Sequence, residues 1–231
     1  MKRSTMKRYA AAAMAIVAML CAGCSGTGSK GTASAPQAAA GKITNPTDFP
    51  LGPDAKILDA KPFNQTIANA QGAGGTTLSQ GAGTYHGHSV IAQSTAPLAD
   101  VKAWLVKLEA APPAGYVYVS EAQKPDAVAV ANKYGVTFAV FKRGTKGAVI
   151  AVIDPRQAHD KLGFMLGLVD KYRMLPASMR GPIDDETKKR TGMSVTEALD
   201  PSAPVGMTIE ALREVNGSND PAIVEVDASK E

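Results

Sequence analysis

The chain has little with which to build a covalent or metal-centred site. In 231 residues there are two cysteines, three histidines and one tryptophan, and aromatics make up only 5% of the composition. The two cysteines, Cys21 and Cys24, stand in the stretch "MLCAGCSGTGSK". A structural zinc site needs a further pair of ligands, and a Cys-x-x-Cys redox motif needs a βαβ frame; neither surrounds them. A disulfide across two residues beside an apolar segment would staple nothing. Long apolar runs are also missing. The run from Ala10 to Leu20 has eleven residues, whereas a bilayer-spanning helix takes ~20. An excess of one charge is missing once the first 23 residues are set aside. The chain is +4 overall, and Lys2, Arg3, Lys7 and Arg8 account for the whole excess of 25 basic over 21 acidic side chains. The remaining 208 residues are neutral, so nucleic-acid binding has no compositional support.

What is present begins at the amino end. A cationic patch, a short uncharged run and the small residues Ala22 and Gly23 follow one another, which is the layout of a secretory signal peptide. "LCAGC" resembles the lipobox of bacterial lipoproteins, in which an aliphatic and two small residues precede an invariant cysteine. Ala22, Gly23 and Cys24 match, while Cys21 stands where that family usually has Leu. The resemblance implies that residues 1–23 are removed and that Cys24 becomes a lipidated N-terminus carrying fatty acyl chains such as palmitate. It further implies that Ser25, in place of Asp, directs the protein to the periplasmic face of an outer membrane in a cell that has one. The membrane is then a partner through the N-terminal lipid, and an envelope protein is a possible second partner.

From Ser25 to about Thr47 the composition is Gly, Ser, Ala, Thr and Pro without an aromatic, which cannot repay the entropy of folding and reads as a flexible tether over 24–47. The remainder, 48–231, is long enough for one domain with a real core. Its charge is uneven: residues 24–180 hold 16 basic and 10 acidic side chains, and 181–231 hold 5 and 11. The plain expectation is an acidic tail folded back on a basic lobe.

Within the domain, a Pro-Gly turn leads into a short strand at Ala55–Ala60. "QGAGGTTLSQGAGTYHGHSVIAQST" follows, with Gln-Gly-Ala-Gly at 71 and again at 80. No phosphate-loop spacing is spelled out there, and it reads as a hairpin tip feeding a strand from Thr84 to Gln93. Leu98, Val101, Trp104, Leu105 and Leu108 recur at helical spacing, with Ser94 or Thr95 to cap and Pro112-Pro113 to stop. "AGYVYVSEA" alternates as a strand, 125–133 is helical or irregular, and "GVTFAVFKRGTKGAVIAVID" is a hairpin turned by "RGTKG". Beyond Gln157 the pattern becomes helical. Leu162 to Leu175 cover an arc of about 200°, which predicts a central buried helix with Gly163 and Gly167 allowing close packing, or else a docking face. "GPIDDETKKRTG" has Pro182 at a helix start and acids in the first turn. Ser194 and Glu197 form a capping box, Thr208 caps the next helix and Gly217 closes it. "AIVEVDA" is a last strand able to complete the sheet, which makes about 157–217 a helical insertion. The expected class is α+β, a mostly antiparallel sheet of about five or six strands packed on helices. The order of elements from the first strand to "AGYVYV" is similar to a theme in uncharacterised bacterial envelope lipoproteins, which implies an α+β fold and carries no known active site to transfer.

Chemistry has few places to sit. On a strand, His86 and His88 share a face, as two nitrogen ligands of zinc or copper would. The third ligand would have to come from His159, Asp154 or Asp160, and nothing local supplies it. Ser89 follows His88, but neighbours on a strand point to opposite faces, and no Gly-x-Ser-x-Gly elbow exists. Asp184, Asp185 and Glu186 are explained by a helix dipole, and Lys142, Arg143 and Lys146 by a solvated turn. The sequence therefore predicts a lipid-anchored, non-catalytic binding, assembly or accessory factor without a cofactor. The alternative is a metal-dependent or hydrolytic enzyme centred on His86 and His88.

Overall fold

Ala148–Ile153 and Ala222–Val226 carry apolar side chains at both parities, a pattern that suits strands covered on two faces. In the computed structural model these strands lie at the middle of the sheet. The structure describes residues 44–67, 83–120, 125–191, 194–199 and 209–230. The predicted leader, Cys24, nearly all of the predicted tether, the repeated Gln-Gly-Ala-Gly and Thr208 lie outside the described residues.

The strands are β1 (Ala55–Ile67), β2 (Gly83–Ser94), β3 (Val117–Tyr118), β4 (Val136–Arg143), β5 (Lys146–Ile153) and β6 (Ala222–Lys230). They form one six-stranded sheet in the order β1-β2-β6-β5-β4-β3, with every neighbouring pair antiparallel. The helices are α1 (Leu98–Ala110), α2 (Pro125–Lys133), α3 (Pro155–Met174), α4 (Ala177–Thr191), α5 (Val195–Ala198) and α6 (Ile209–Gly217). The α+β class expected from the sequence is the one observed. The helices from Pro155 to Gly217 interrupt two strands, β5 and β6, that pair directly with each other.

Each face of the sheet has its own core. On one, Val101, Leu105 and Leu108 of α1 pack with Ile150, Val152, Phe141 and Ile223. On the other, Ala131 of α2, Leu162 and Leu166 of α3 and Leu212 and Val215 of α6 pack with Phe138, Ala151, Ile153 and Val224. The β4–β5 turn needs only Gly144 and Thr145 between paired Arg143 and Lys146, and Gly144 takes φ +58. A glycine first in a two-residue hairpin turn supplies the twist that antiparallel strands require. Gly87 has a different reason. A Cβ there would lie 1.8 Å from the Asp227 carbonyl oxygen of β6, so only glycine fits the β2–β6 approach.

Several expectations are corrected. The first strand runs thirteen residues, not six. Its outer edge carries Lys56, Lys61, Pro62 and a bulge between Ile57 and Asp59, devices that discourage pairing with another chain. "AGYVYVSEA" contributes only two strand residues, although its side chains alternate as expected, with Tyr116 and Tyr118 on the α1-face core and Val117 exposed between them. Neither Ser94 nor Thr95 caps α1, whose N-cap is Pro97; the Ser94 hydroxyl accepts from Ala96 N at 3.1 Å instead. Pro182 lies inside α4, which begins five residues earlier, so the acids that follow are not in its first turn. The broad apolar arc of α3 is buried on one side only. Leu162, Leu166 and Tyr172 are buried while Phe164 is 67% exposed and Leu168 is 49% exposed. Gly163 and Gly167 do not serve close packing: a Cβ at Gly167 would meet nothing within 4 Å, and one at Gly163 only Asn216 Nδ2 at 3.9 Å. The Ser194–Glu197 capping box is present as read.

Candidate functional site

Residues 44–50, a strap ahead of β1, are part of the folded body, so the fold takes hold before residue 48. The local sequence Asn-Pro-Thr-Asp makes this turn. Asn45 Oδ1 accepts from Thr47 N at 3.0 Å and from the Thr47 hydroxyl at 2.8 Å, and its Nδ2 donates to Phe49 O at 2.7 Å. A side chain that bonds its own backbone two residues on holds a turn without help from a sheet. The turn delivers Phe49 into the α1-face core, 1% exposed, with ring centroids 4.7 Å from Tyr116 and 5.1 Å from Phe141.

Charge gathers where the strap crosses the sheet. Asp48 Oδ2 accepts from Arg143 Nη2 at 2.6 Å, Lys146 Nζ at 3.1 Å and the Tyr116 hydroxyl at 3.3 Å. Lys146 Nζ is also 2.9 Å from Asp227 Oδ2, and Asp227 Oδ1 accepts from His88 N at 2.9 Å. The Arg143 guanidinium stacks over the Tyr116 ring at 4.4 Å. Asp227 and Glu225 alternate with the apolar residues of β6, so the pleat points both at the α1 face, in line with Ile223. They are 0% and 3% exposed.

The electrostatics follow from those contacts. Burial pushes the Glu225 carboxyl up to about 8; nearby Asp227 and Asp48 push the same way, against the Thr47 side chain and Lys146. One of its oxygens, Oε1, has no partner. Glu225 is therefore a protonated acid at neutral pH. Asp48 is held below its ordinary value, chiefly by its hydrogen bond from Lys146. Burial works against the Lys146 ammonium, but its bonds to Asp227 and Asp48 outweigh that and raise its pKa. Burial likewise raises Tyr116, against the pull of Lys146. The cluster is thus a clamp of two cations shared by two carboxylates, with a neutral acid beside it.

His86 and His88 sit on one side of β2, as their spacing predicts. His88 is half-buried, with Nδ1 3.9 Å from Asp227 Oδ1. His159 belongs to α3, on the helical layer of the opposite face, with Nδ1 3.2 Å from Asn216 O. Asp154 caps α3 through Arg156 N, and Asp160 is exposed on the same helix. Among the described residues no three His, Cys, Asp or Glu gather as a metal site. Ser89 is buried on the face opposite His88. Asp184 ties two elements together: it accepts from the Tyr172 hydroxyl at 2.6 Å, and from Thr196 N at 3.0 Å and the Thr196 hydroxyl at 2.7 Å at the start of α5. Burial opposes its charge, but these bonds prevail and lower its pKa. Trp104 is half-buried and lines an open groove of about 810 Å³ with Pro50, Leu51, Pro53 and Ala103.

Sequence reading treated Arg143 and Lys146 as a solvated turn and passed over Asp48, Tyr116, Glu225 and Asp227. The available signal was two acids at alternate positions inside a strand apolar at both parities. The acidic tail does meet the basic lobe at Lys146–Asp227, though Asp170 and Arg213 pair with the signs reversed.

The class defined by this geometry is an antiparallel α+β domain, covered on both faces and clamped by an N-terminal strap. No protein-family model matches the chain, and neither a curated protein nor a solved structure matches it.

Proposed function

We propose that the protein is an exported lipoprotein of a bacterial envelope, held by acyl chains on Cys24 and acting as a non-catalytic binding, assembly or accessory factor. The observation that carries this is the amino-terminal pattern: four bases, eleven uncharged residues, then Ala22-Gly23-Cys24 and a Gly/Ser/Ala-rich stretch. The strap supports it. A linked set of charges is engaged in fastening the segment that leads from Cys24, so Asp48, Arg143, Lys146 and Asp227 have a mechanical role. Two or three acyl chains give lasting attachment where one is marginal.

The test is metabolic palmitate labelling with fractionation and an intact mass of the mature chain. Wild type should carry label, begin at residue 24 and sediment with membranes. Cys24→Ala should lose the label and become soluble. A variant that stays in the membrane fraction, or a mature chain that keeps its leader, rejects the proposal.

A further inference from the structure

One hydroxyl proton holds the turn of the strap together. Thr47 N can only donate, so the Asn45 atom 3.0 Å from it is the amide oxygen, while Asn45 Nδ2 donates to Phe49 O. The same oxygen takes the Thr47 hydroxyl proton at 2.8 Å. The Thr47 side chain also bonds the Glu225 carboxyl beneath it. With its single proton committed to Asn45, that hydroxyl meets Glu225 only as an acceptor, so Glu225 is the donor and holds a proton. An ionised Glu225 has nothing to donate. It draws the Thr47 proton to itself and takes it from Asn45, so charging the acid undoes the turn that lies over it.

The surroundings offer an ionised acid little else. Glu225 is 3% exposed and its Oε1 has no partner. Val90 of β2 and Ile150 of β5 flank it in the sheet, and α1 closes the face with Val101, Leu105 and Leu108. The charged and titratable groups around it are Asp48 on the strap, Asp227 on β6 and Lys146 on β5. Behind these stand Arg143 on β4, Tyr116 ahead of β3 and His88 on β2. On α1, Asp100, Lys102 and Lys107 are exposed and Glu109 is half-buried. Lys146 is already shared by Asp48 and Asp227, and Arg143 is held by Asp48. A third carboxylate in this cluster therefore adds to two like charges whose cations are engaged.

We propose that the strap is a proton-operated latch: residues 44–50 lie closed while Glu225 donates to Thr47, and they loosen when Glu225 loses that proton. Phe49 then leaves its place against Tyr116 and Phe141, which opens an apolar socket beside the two buried acids. Burial sets the window. The closed form keeps its proton up to about 8, whereas a solvated Glu225 gives it up from its ordinary 4.5. Closure is thus whole below that range, and opening gains about tenfold per pH unit across it. The latch works whether or not Cys24 carries lipid, so it stands apart from the anchor reading.

Hydrogen exchange of the purified protein, read as protection factors from pH 5 to 9, tests the latch. The Thr47 and Phe49 amides should lose protection about tenfold per pH unit and level off above about 8. They should stay less protected than the β5 amides throughout, because the latch opens without the sheet. In Glu225→Gln, which keeps the shape and cannot ionise, their protection should be flat with pH. Asp48→Asn removes a charge that titrates only in acid, and should lower protection while keeping the slope. Melting at pH 5 checks that both variants fold. A flat wild-type profile overturns the proposal whatever the variants do. So does a slope that survives Glu225→Gln or vanishes in Asp48→Asn. Strap protection equal to that of β5 overturns it as well, because the strap would then open only with the whole fold.

Discussion

On the α1 face, β6 projects Ile223, Glu225 and Asp227 beneath the strap, whereas on the α3 face the same strand projects Ala222 and Val224 into an apolar cluster, with the uncharged Ser89 of β2 also buried on that side. Both faces are buried, yet they hold together by different means. The α3 face relies on apolar burial, which is insensitive to small shifts and to pH. The α1 face places two carboxyl groups out of water and depends on Lys146 and Thr47 to compensate them. One strand therefore carries an unconditional side and a conditional one.

The sharpest way to break this contrast is to remove an aromatic from each side. Phe49→Ala should cost about 3–5 kcal/mol, because the ring is enclosed by Tyr116 and Phe141 and leaves a cavity. Phe164→Ala, on the exposed side of α3, should stay within about 0.5 kcal/mol. Urea denaturation of both reads the difference, and equal effects would mean that the strap is not part of the core. The next effect is the pH dependence of the conditional face. Glu225 has a folded value of about 8 against an ordinary 4.5, so the unfolded chain gives up this proton first as pH rises. The stability tied to the protonated acid is whole below about 4.5 and is lost as pH climbs through about 8, a change on the order of a few kcal/mol. Melting temperatures from pH 5 to 9 should fall in wild type and flatten in Glu225→Gln. Asp48, with its lowered value, acts in the other direction and weakens the strap only in acid, below its ordinary 3.8. A smaller effect sharpens the account of the helical layer. Tyr172→Phe removes the hydroxyl shared by Asp184 and Thr196, and should cost about 1–2 kcal/mol by the same denaturation measurement.

The class of fold, the β4–β5 hairpin, the α1 seam and the Ser194 box were all legible because each is written in local periodicity or capping chemistry. The errors share one cause, which is tertiary context. Nothing in "AGYVYV" says that its strand will stop at two residues, or that Tyr116 will meet a strap some seventy residues upstream. The apolar arc of α3 is the same string of letters whether one side or both are covered, and only the sheet's position decides. The clamp was invisible for the related reason that Asp48, Tyr116, the Arg143–Lys146 turn and Asp227 come from four separate places in the chain. His86 and His88 were correctly set on one side of β2, since that follows from a period of two.

β6, the last of the six strands in chain order, lies between β2 and β5 and bonds to both. Until it arrives, the earlier strands form two separate ribbons with an open gap, and neither core can close. Such long-range pairing is slow, since distant stretches of chain must first be brought together. The sheet is consequently assembled from its middle last: a single strand, once made, joins two halves that cannot cover each other without it.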